Sequence, residues 1–190
     1  MISPSRELRR RARQIKLLLM DVDGVMTDGR IYYVSHPRRS STEVFLETKA
    51  FHSRDGLGIR LAHEAGLKTG LISGRGSPVV EYRARELDLD YIEQNALEKL
   101  APYEKILREA RLEDAQVCYL GDDVVDLPVL KRVGLAVGVA DGHEFLRKHV
   151  HYWTRRPGGA GAVRETVELI LSAQGKLRPI LQSYVQGNRS

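Results

Sequence analysis

Hydrophobic and polar positions along this 190-residue chain follow two alternating rhythms. Short apolar runs at Lys16–Met20, Thr69–Ile72, Tyr91–Ile92, Val117–Leu120, Leu135–Val139 and His151–Trp153 predict strands. Between them, apolar residues recur every three or four positions over Leu57–Glu64, Pro78–Leu87, Glu98–Ala110, Val125–Arg132, Glu144–Lys148 and Ala162–Ala173, the spacing of helices with one buried face. Ser77 followed by Pro78 marks one helix start, a hydroxyl to accept from the first free N–H groups and a proline whose own N–H is not needed there. Strand–helix alternation predicts an α/β fold with a mostly parallel sheet, because parallel neighbours must be joined by a crossover. One stretch departs from it. Arg30–Val34 and Glu43–Leu46 are β-rich and separated by the polar segment 35–42, which predicts a β-hairpin inserted at about residues 30–47. A single domain is expected over residues 1–174, with 175–190, where the periodicity fades, as a flexible C-terminal tail.

Composition narrows the function classes. At 42% hydrophobic and 29% charged residues, the chain suits a soluble globular protein. It has no run of 18 apolar residues, and its basic N-terminus lacks the apolar core of a leader, so no membrane partner and a cytoplasmic location are expected. Cys118, the lone cysteine, lies inside an apolar run and reads as a buried thiol; disulfide frameworks and cysteine-based zinc sites are excluded. The net charge of +5 is concentrated in Arg6, Arg9, Arg10, Arg11, Arg13 and Lys16, with smaller pairs at Arg38–Arg39 and Arg155–Arg156. Such a distribution attracts polyanions. No aromatic residues alternate with the basic ones, so a solvated helix face is favoured and nucleic acid is not expected as the partner.

In parallel sheets, ligands gather beyond the carboxyl ends of the strands, and the chemically useful groups of this chain fall there. Asp21-Val22-Asp23-Gly24 follows the first strand. Two carboxylates so close repel, and burial sharpens the conflict unless a cation sits between them. A hard divalent ion such as Mg²⁺ takes oxygen ligands and accepts phosphate as another. An ordinary strand ending in an Asp-Gly turn is the alternative. Ser73-Gly74-Arg75 follows the second strand, Lys99 opens the helix after the third, and Gly121-Asp122-Asp123, with Asp126 one turn on, follows the fourth. Taken singly, Ser73 reads as a helix cap and Lys99 as a solvated helix residue. His52 and His63 have no partners at metal-ligand spacing.

In this order the four motifs resemble those of the haloacid dehalogenase superfamily of phosphohydrolases, over roughly residues 16–173. The resemblance implies a three-layer, Rossmann-like α/β fold. It makes Asp21 the nucleophile that forms an aspartyl-phosphate, and Asp23 the acid that protonates the leaving alcohol and then activates water. Asp21, the backbone carbonyl of Asp23, and Asp122 would hold Mg²⁺, supported by Asp126 and Asp123. Ser73 would donate to a phosphoryl oxygen and Lys99 would supply positive charge to it. Only the hairpin lies between the first two motifs, and only Arg75 to Leu97 between the second and third. The enzyme is therefore expected to be capless, and must act on macromolecules or borrow cover from neighbouring subunits.

Further segments sharpen the match: Asp28-Gly29-Arg30, residues 49–58 (KAFHSRDGLG), residues 121–128 (GDDVVDLP) and residues 158–165 (GGAGAVRE). Together they are similar to the 3-deoxy-D-manno-octulosonate 8-phosphate phosphatase family. That resemblance implies a capless, Mg²⁺-dependent homotetramer, acting on a phosphorylated sugar acid to release 3-deoxy-D-manno-octulosonate for lipopolysaccharide synthesis. It assigns Arg75 to the sugar carboxylate, for which a bidentate guanidinium is suited. Gly74, Asp28 and Gly29 would lie on the substrate side, with Arg54 and Asp55 at the mouth. Alternatively, Arg75 pairs with Glu81 or Glu86, and Gly158–Gly161 is only a flexible lead into the last helix. Three departures touch substrate fit: a long hairpin tip, His36 to Thr42, with two arginines; Gln94-Asn95 where the family tends to have Gln-Gly; and the arginine-rich N-terminus. The alternatives to be weighed are a 2-keto-3-deoxynononate 9-phosphate phosphatase, a nucleic-acid end phosphatase and a non-catalytic oligomerisation module.

Overall fold

The computed structural model describes residues 5–36 and 44–187. Six strands form one sheet: β1 (Leu17–Met20), β4 (Lys68–Ile72), β5 (Tyr91–Glu93), β6 (Val117–Gly121), β7 (Leu135–Gly138) and β8 (Tyr152–Trp153). They are ordered β5-β4-β1-β6-β7-β8, and every pairing is parallel. The strand side chains divide by parity. Leu18 and Met20 of β1 pack with Cys118, Leu120 and Val137 into a core shared with Leu8 and Ala12 of α1 (Arg6–Gln14), Ile59 and Ala62 of α2 (Ser53–Glu64), Val80 and Ala84 of α3 (Pro78–Glu86), and Val163 and Val167 of α6 (Ala162–Ala173). Leu17 and Leu19 join Tyr119 and Ala136 in a second core against Tyr103 and Ile106 of α4 (Leu100–Ala110) and Val129 of α5 (Leu127–Leu130). The result is the expected three-layer α/β fold. A sheet buried on both faces explains why its strands read as continuous apolar runs rather than alternating ones.

The inserted hairpin is β2 (Tyr32–His36) and β3 (Val44–Thr48), antiparallel, with Tyr33 opposite Glu47 and Val34 opposite Leu46. Most of the expected tip, 37–43, lies outside the described residues. Between β1 and β4 the described residues add only this hairpin and α2, so no lid domain covers the strand ends.

Several expectations are corrected. The segment read as a tail contains a helix, α7 (Leu177–Gln186), whose Leu177, Ile180 and Tyr184 pack on the first core. The arginine-rich N-terminus is α1; it buries Leu8 and Ala12, and Arg11 and Arg13 donate to the carbonyls of Gly134 and Ala173 at 2.8 and 3.0 Å. Those arginines seat a helix at the end of the sheet away from Asp21. A groove of about 950 Å³ lies at that far end, beside Arg13, Lys16 and Lys176. Residues 125–132 hold no long helix but a 3₁₀ turn, Val124–Asp126, running into α5, and Glu144–His149 is also 3₁₀. Helix α2 starts at Ser53, four residues earlier than its apolar pattern, because the His52 side chain caps it by accepting from Arg54 N–H. Ser77 caps α3 as expected, with Pro78 in its first turn.

Candidate active site

β1 delivers Asp21 to the carboxyl edge of the sheet between β4 and β6, where the chain order changes direction, the place at which doubly wound sheets open a crevice. A tight turn follows: the N–H groups of Val25, Met26 and Thr27 all donate to the Val22 carbonyl. Gly24 takes φ +89°, and a Cβ there would stand 2.1 Å from Asp122 Oδ2, so glycine alone lets the two acidic loops meet. The glycine-rich segment supports this turn from below. Gly159 N–H donates to the Val25 carbonyl at 2.9 Å, and a Cβ on Gly158 would collide with the Gly24 carbonyl oxygen. It is a packed brace, not a loose lead into α6.

Lys99 is the N-cap residue of α4, and its buried ammonium lies 2.9 Å from Asp21 Oδ1 and 2.7 Å from Asp126 Oδ1. Asp126, wholly buried, has four partners: Oδ1 accepts from Lys99 and from Tyr119 Oη at 2.8 Å, and Oδ2 from the N–H groups of Asp122 and Asp123 at 3.0 and 3.3 Å. It organises the second acidic loop with oxygens already engaged. Among the described residues, Asp21, Asp122 and Asp126 form the group whose carboxylates approach within 4.8 Å of one another. With Asp126 so committed, Asp122 and the Asp21 oxygen not paired with Lys99 are the carboxylate groups that could hold an ion, and the Asp23 carbonyl belongs to the same loop. Asp123 stands outside the group; its Oδ1 accepts from Val124 N–H at 2.7 Å and caps the short turn.

Electrostatics agree with a cation site. Burial, then the charges of Asp21 and Asp126, push the Asp122 carboxyl up to about 8. Burial raises Asp21 to about 6 against the opposing pull of Lys99. Lys99 is held above its usual range because Asp126 and Asp21 outweigh its burial. Both aspartates thus titrate above 3.8, the ordinary value, and between that value and 8 the metal-free native state binds more protons than the unfolded chain. Its stability therefore falls as pH rises through that window. A divalent ion removes the conflict, so the melting temperature in chelator should drop between about pH 5 and about pH 8, and Mg²⁺ should raise it more at the upper pH. Equal Mg²⁺ effects at both pH values would contradict this account.

Ser73 is buried at the end of β4; its Oγ accepts from Arg75 N–H at 3.3 Å, which leaves the hydroxyl proton to donate. Gly74 and Arg75 follow on the same edge, and Arg75 turns toward the hairpin rather than toward Glu81 or Glu86. Its guanidinium donates to Tyr33 Oη at 3.2 Å and lies 4.0 Å from both Asp23 and Glu47. Asn95 adopts φ +59°, the left-handed conformation that asparagine tolerates better than most residues, so replacing glycine keeps that loop's path.

The remaining expected residues take varied positions. Asp28 and Gly29 are exposed on the loop after the nucleophile turn, with Asp28 Oδ1 accepting from Arg30 N–H at 3.1 Å. Arg54 is exposed in the first turn of α2. Asp55, expected at the mouth, is buried instead: its two oxygens accept from Gly161 N–H at 3.1 Å and Arg164 N–H at 2.8 Å, capping the N-terminus of α6. Burial raises its pKa even so. His52 caps α2, and His63 bonds Thr69 Oγ1 at 2.7 Å. Three residues near Asp23 were given no role beforehand: Tyr33 and Glu47, which lie in none of the motifs, and Lys49, which entered only as the first residue of the segment 49–58. The available signal was the two-residue spacing of Glu47 and Lys49, which puts both on one side of an extended segment.

No protein-family model matches the chain. Curated relatives do. The 3-deoxy-D-manno-octulosonate 8-phosphate phosphatase of Yersinia pestis is 44% identical over 167 residues, covering 88% of this chain and 85% of the relative. That of Escherichia coli K12 is 41% identical over the same shares. Among solved structures, the enzyme of that name from Moraxella catarrhalis, in complex with magnesium, phosphate and the sugar acid, superposes with a TM-score of 0.86 at 36% identity, covering 94% of this chain and 98% of the other. The Yersinia pestis crystal structure gives 0.84 at 42% identity, covering 91% and 89%.

Proposed function

Because the chain belongs to the 3-deoxy-D-manno-octulosonate 8-phosphate phosphatase family of the haloacid dehalogenase superfamily, we propose that it is a Mg²⁺-dependent phosphomonoesterase that releases 3-deoxy-D-manno-octulosonate from its 8-phosphate. The observation that carries the reading is the junction of Asp21, Lys99 and Asp122 at the end of β1. An Asp21 carboxylate oxygen attacks phosphorus, the bond from phosphorus to the sugar oxygen breaks, and Asp23 passes its proton to that oxygen. The free sugar acid leaves an aspartyl-phosphate on Asp21. Asp23, now a carboxylate, takes a proton from water as the water oxygen attacks phosphorus, and the bond to Asp21 breaks to release phosphate. Ser73 donates to a phosphoryl oxygen and Lys99 offsets the charge that accumulates there. Asp21, Asp122 and the Asp23 carbonyl are the groups that would hold Mg²⁺, which would supply the positive charge needed for two anions to meet.

Arg75 is exposed beside Asp23, with its nearest carboxylates, Asp23 and Glu47, no closer than 4.0 Å, and would be the group to take the sugar carboxylate. Cover for the open site comes, in this reading, from a homotetramer: the hairpin shows Ile31, Tyr32, Tyr33, Val34 and Leu46 to solvent, an apolar face suited to other copies. A cytoplasmic location fits the single, wholly buried free thiol of Cys118. No described helix is long and apolar enough to cross a membrane.

The test is a panel of the octulosonate 8-phosphate, the 2-keto-3-deoxynononate 9-phosphate and 3′-phosphorylated oligonucleotides, with Mg²⁺ and with chelator. The eight-carbon substrate should lead in kcat/KM by about tenfold or more, with only mild salt dependence. Chelation should stop turnover. Preference for the nine-carbon ester, or a steep fall with salt on oligonucleotides, would replace the substrate assignment.

A further inference from the structure

Asp23 is held by the hairpin of its own chain. Lys49 directly follows β3, and its side chain has no exposed surface, an expensive position for an ammonium unless carboxylates surround it. Two do. Its Nζ is in a short ion pair with Asp23 Oδ1 and stands 3.5 Å from Glu47 Oε1. Glu47 is secured in turn, its Oε2 accepting from Ser77 Oγ, the α3 cap, at 2.5 Å. Asp23 Oδ2 faces the other way, toward Arg75 at 4.0 Å, and the Asp23 side chain remains partly open to solvent.

An acid that must hand a proton to a leaving oxygen needs one of its two oxygens aimed at that atom. A freely turning carboxyl spends most of its time elsewhere, and small misplacements cost rate heavily. We propose that Lys49 is the positioning residue of the acid–base step: by holding Oδ1 it keeps Oδ2 of Asp23 directed at the leaving-group oxygen. Lys49 gives up no proton itself. The proton moves from Asp23 to the departing alkoxide as the phosphorus–oxygen bond breaks. The hairpin is thereby part of the catalytic apparatus of its own subunit, whatever else it contacts. This rests on Asp23 being the acid and base, as assigned above.

Leaving-group dependence tests it. An alkyl phosphate, such as the sugar acid ester, needs protonation to depart; p-nitrophenyl phosphate does not. The ratio kcat/KM reports events up to loss of the alcohol, so the later water attack does not enter. For Lys49→Met, kcat/KM should fall about 10²-fold on the alkyl ester, and at least about tenfold less than that on the aryl ester. Asp23→Asn should show the same split, larger. Equal losses on both esters in a folded Lys49→Met protein, or no loss on the alkyl ester, overturn the proposal. Should Lys49→Met not fold, Lys49→Gln, which keeps a polar donor in the buried site, is read the same way. If Asp23→Asn itself shows no split, the assignment of Asp23 falls, and the role of Lys49 with it; a split in Asp23→Asn without one at Lys49 removes the Lys49 role alone.

Discussion

Asp21→Asn should lower phosphate release by at least about 10⁴-fold while leaving the fold intact. An amide cannot supply the attacking oxygen, and no other described carboxylate pairs with Lys99 at the end of β1 except the fully bonded Asp126. Stability should move the opposite way. Burial lifts the Asp21 carboxyl to about 6, so at neutral pH the metal-free protein holds a carboxylate that its surroundings disfavour. A neutral amide relieves that conflict, and Lys99 keeps its 2.7 Å partner, Asp126. The melting temperature in chelator at about pH 7.5 should therefore be unchanged or higher than that of the parent. Measurable turnover above about one part in 10³ would refute Asp21 as nucleophile. A clear loss of stability would mean that its ion pair with Lys99 outweighs its burial.

Asp126→Ala should be the most damaging single change to the fold near the site, costing about 3–5 kcal/mol. Four donors converge on this side chain: Lys99, Tyr119 and two backbone N–H groups. Removing it leaves the buried Lys99 ammonium with Asp21 as its one remaining carboxylate, strands a buried phenol, and frees the loop that carries Asp122. Each orphaned neutral donor adds about 1–3 kcal/mol, though losses inside one network do not sum. Urea denaturation gives the free energy, and calorimetric titration with Mg²⁺ should show binding weakened in whatever fraction remains folded. Asp126→Asn, which retains one carbonyl oxygen, should recover part of the stability but bond only one side of the network. A cost below about 1 kcal/mol for the alanine variant would show that the network is not holding the loop.

These predictions concern residues that were readable before any coordinates. Asp21, Ser73 and Asp122 each follow an apolar run, and the sheet brings the ends of those runs to one edge. Lys99 opens the helix that leaves β5, but singly it read as a solvated helix residue, and only the family resemblance gave it a role. Two close aspartates and a glycine pointed to a cation through like-charge repulsion, with an ordinary Asp-Gly turn as the alternative. Asp55 shows the opposite case. Its carboxylate is spent on the N-terminus of α6, more than a hundred residues away in sequence, and no local pattern distinguishes such a cap from a residue at a site mouth. Lys49 entered only as the start of the segment 49–58 and was given no role, because nothing local shows that the chain closes over it and sets it against Asp23. The helix α7 was missed because its apolar side packs in only at Leu177, Ile180 and Tyr184, too sparse a stripe to mark a helix beforehand.

The layered parallel fold and the gathering of acidic residues at one edge of the sheet were legible in the chain alone, because strand periodicity and the spacing of neighbouring carboxylates are local facts. Which of those charges find partners within the protein emerges only from the folded chain. Asp126 and Asp55 are consumed by internal donors, Asp23 is gripped by the lysine that follows the hairpin, Asp21 shares Lys99 with Asp126, and Asp122 is left facing Asp21. That division depends on distances between segments far apart in the chain, and a carboxylate's role follows from its partners rather than from its position in a motif.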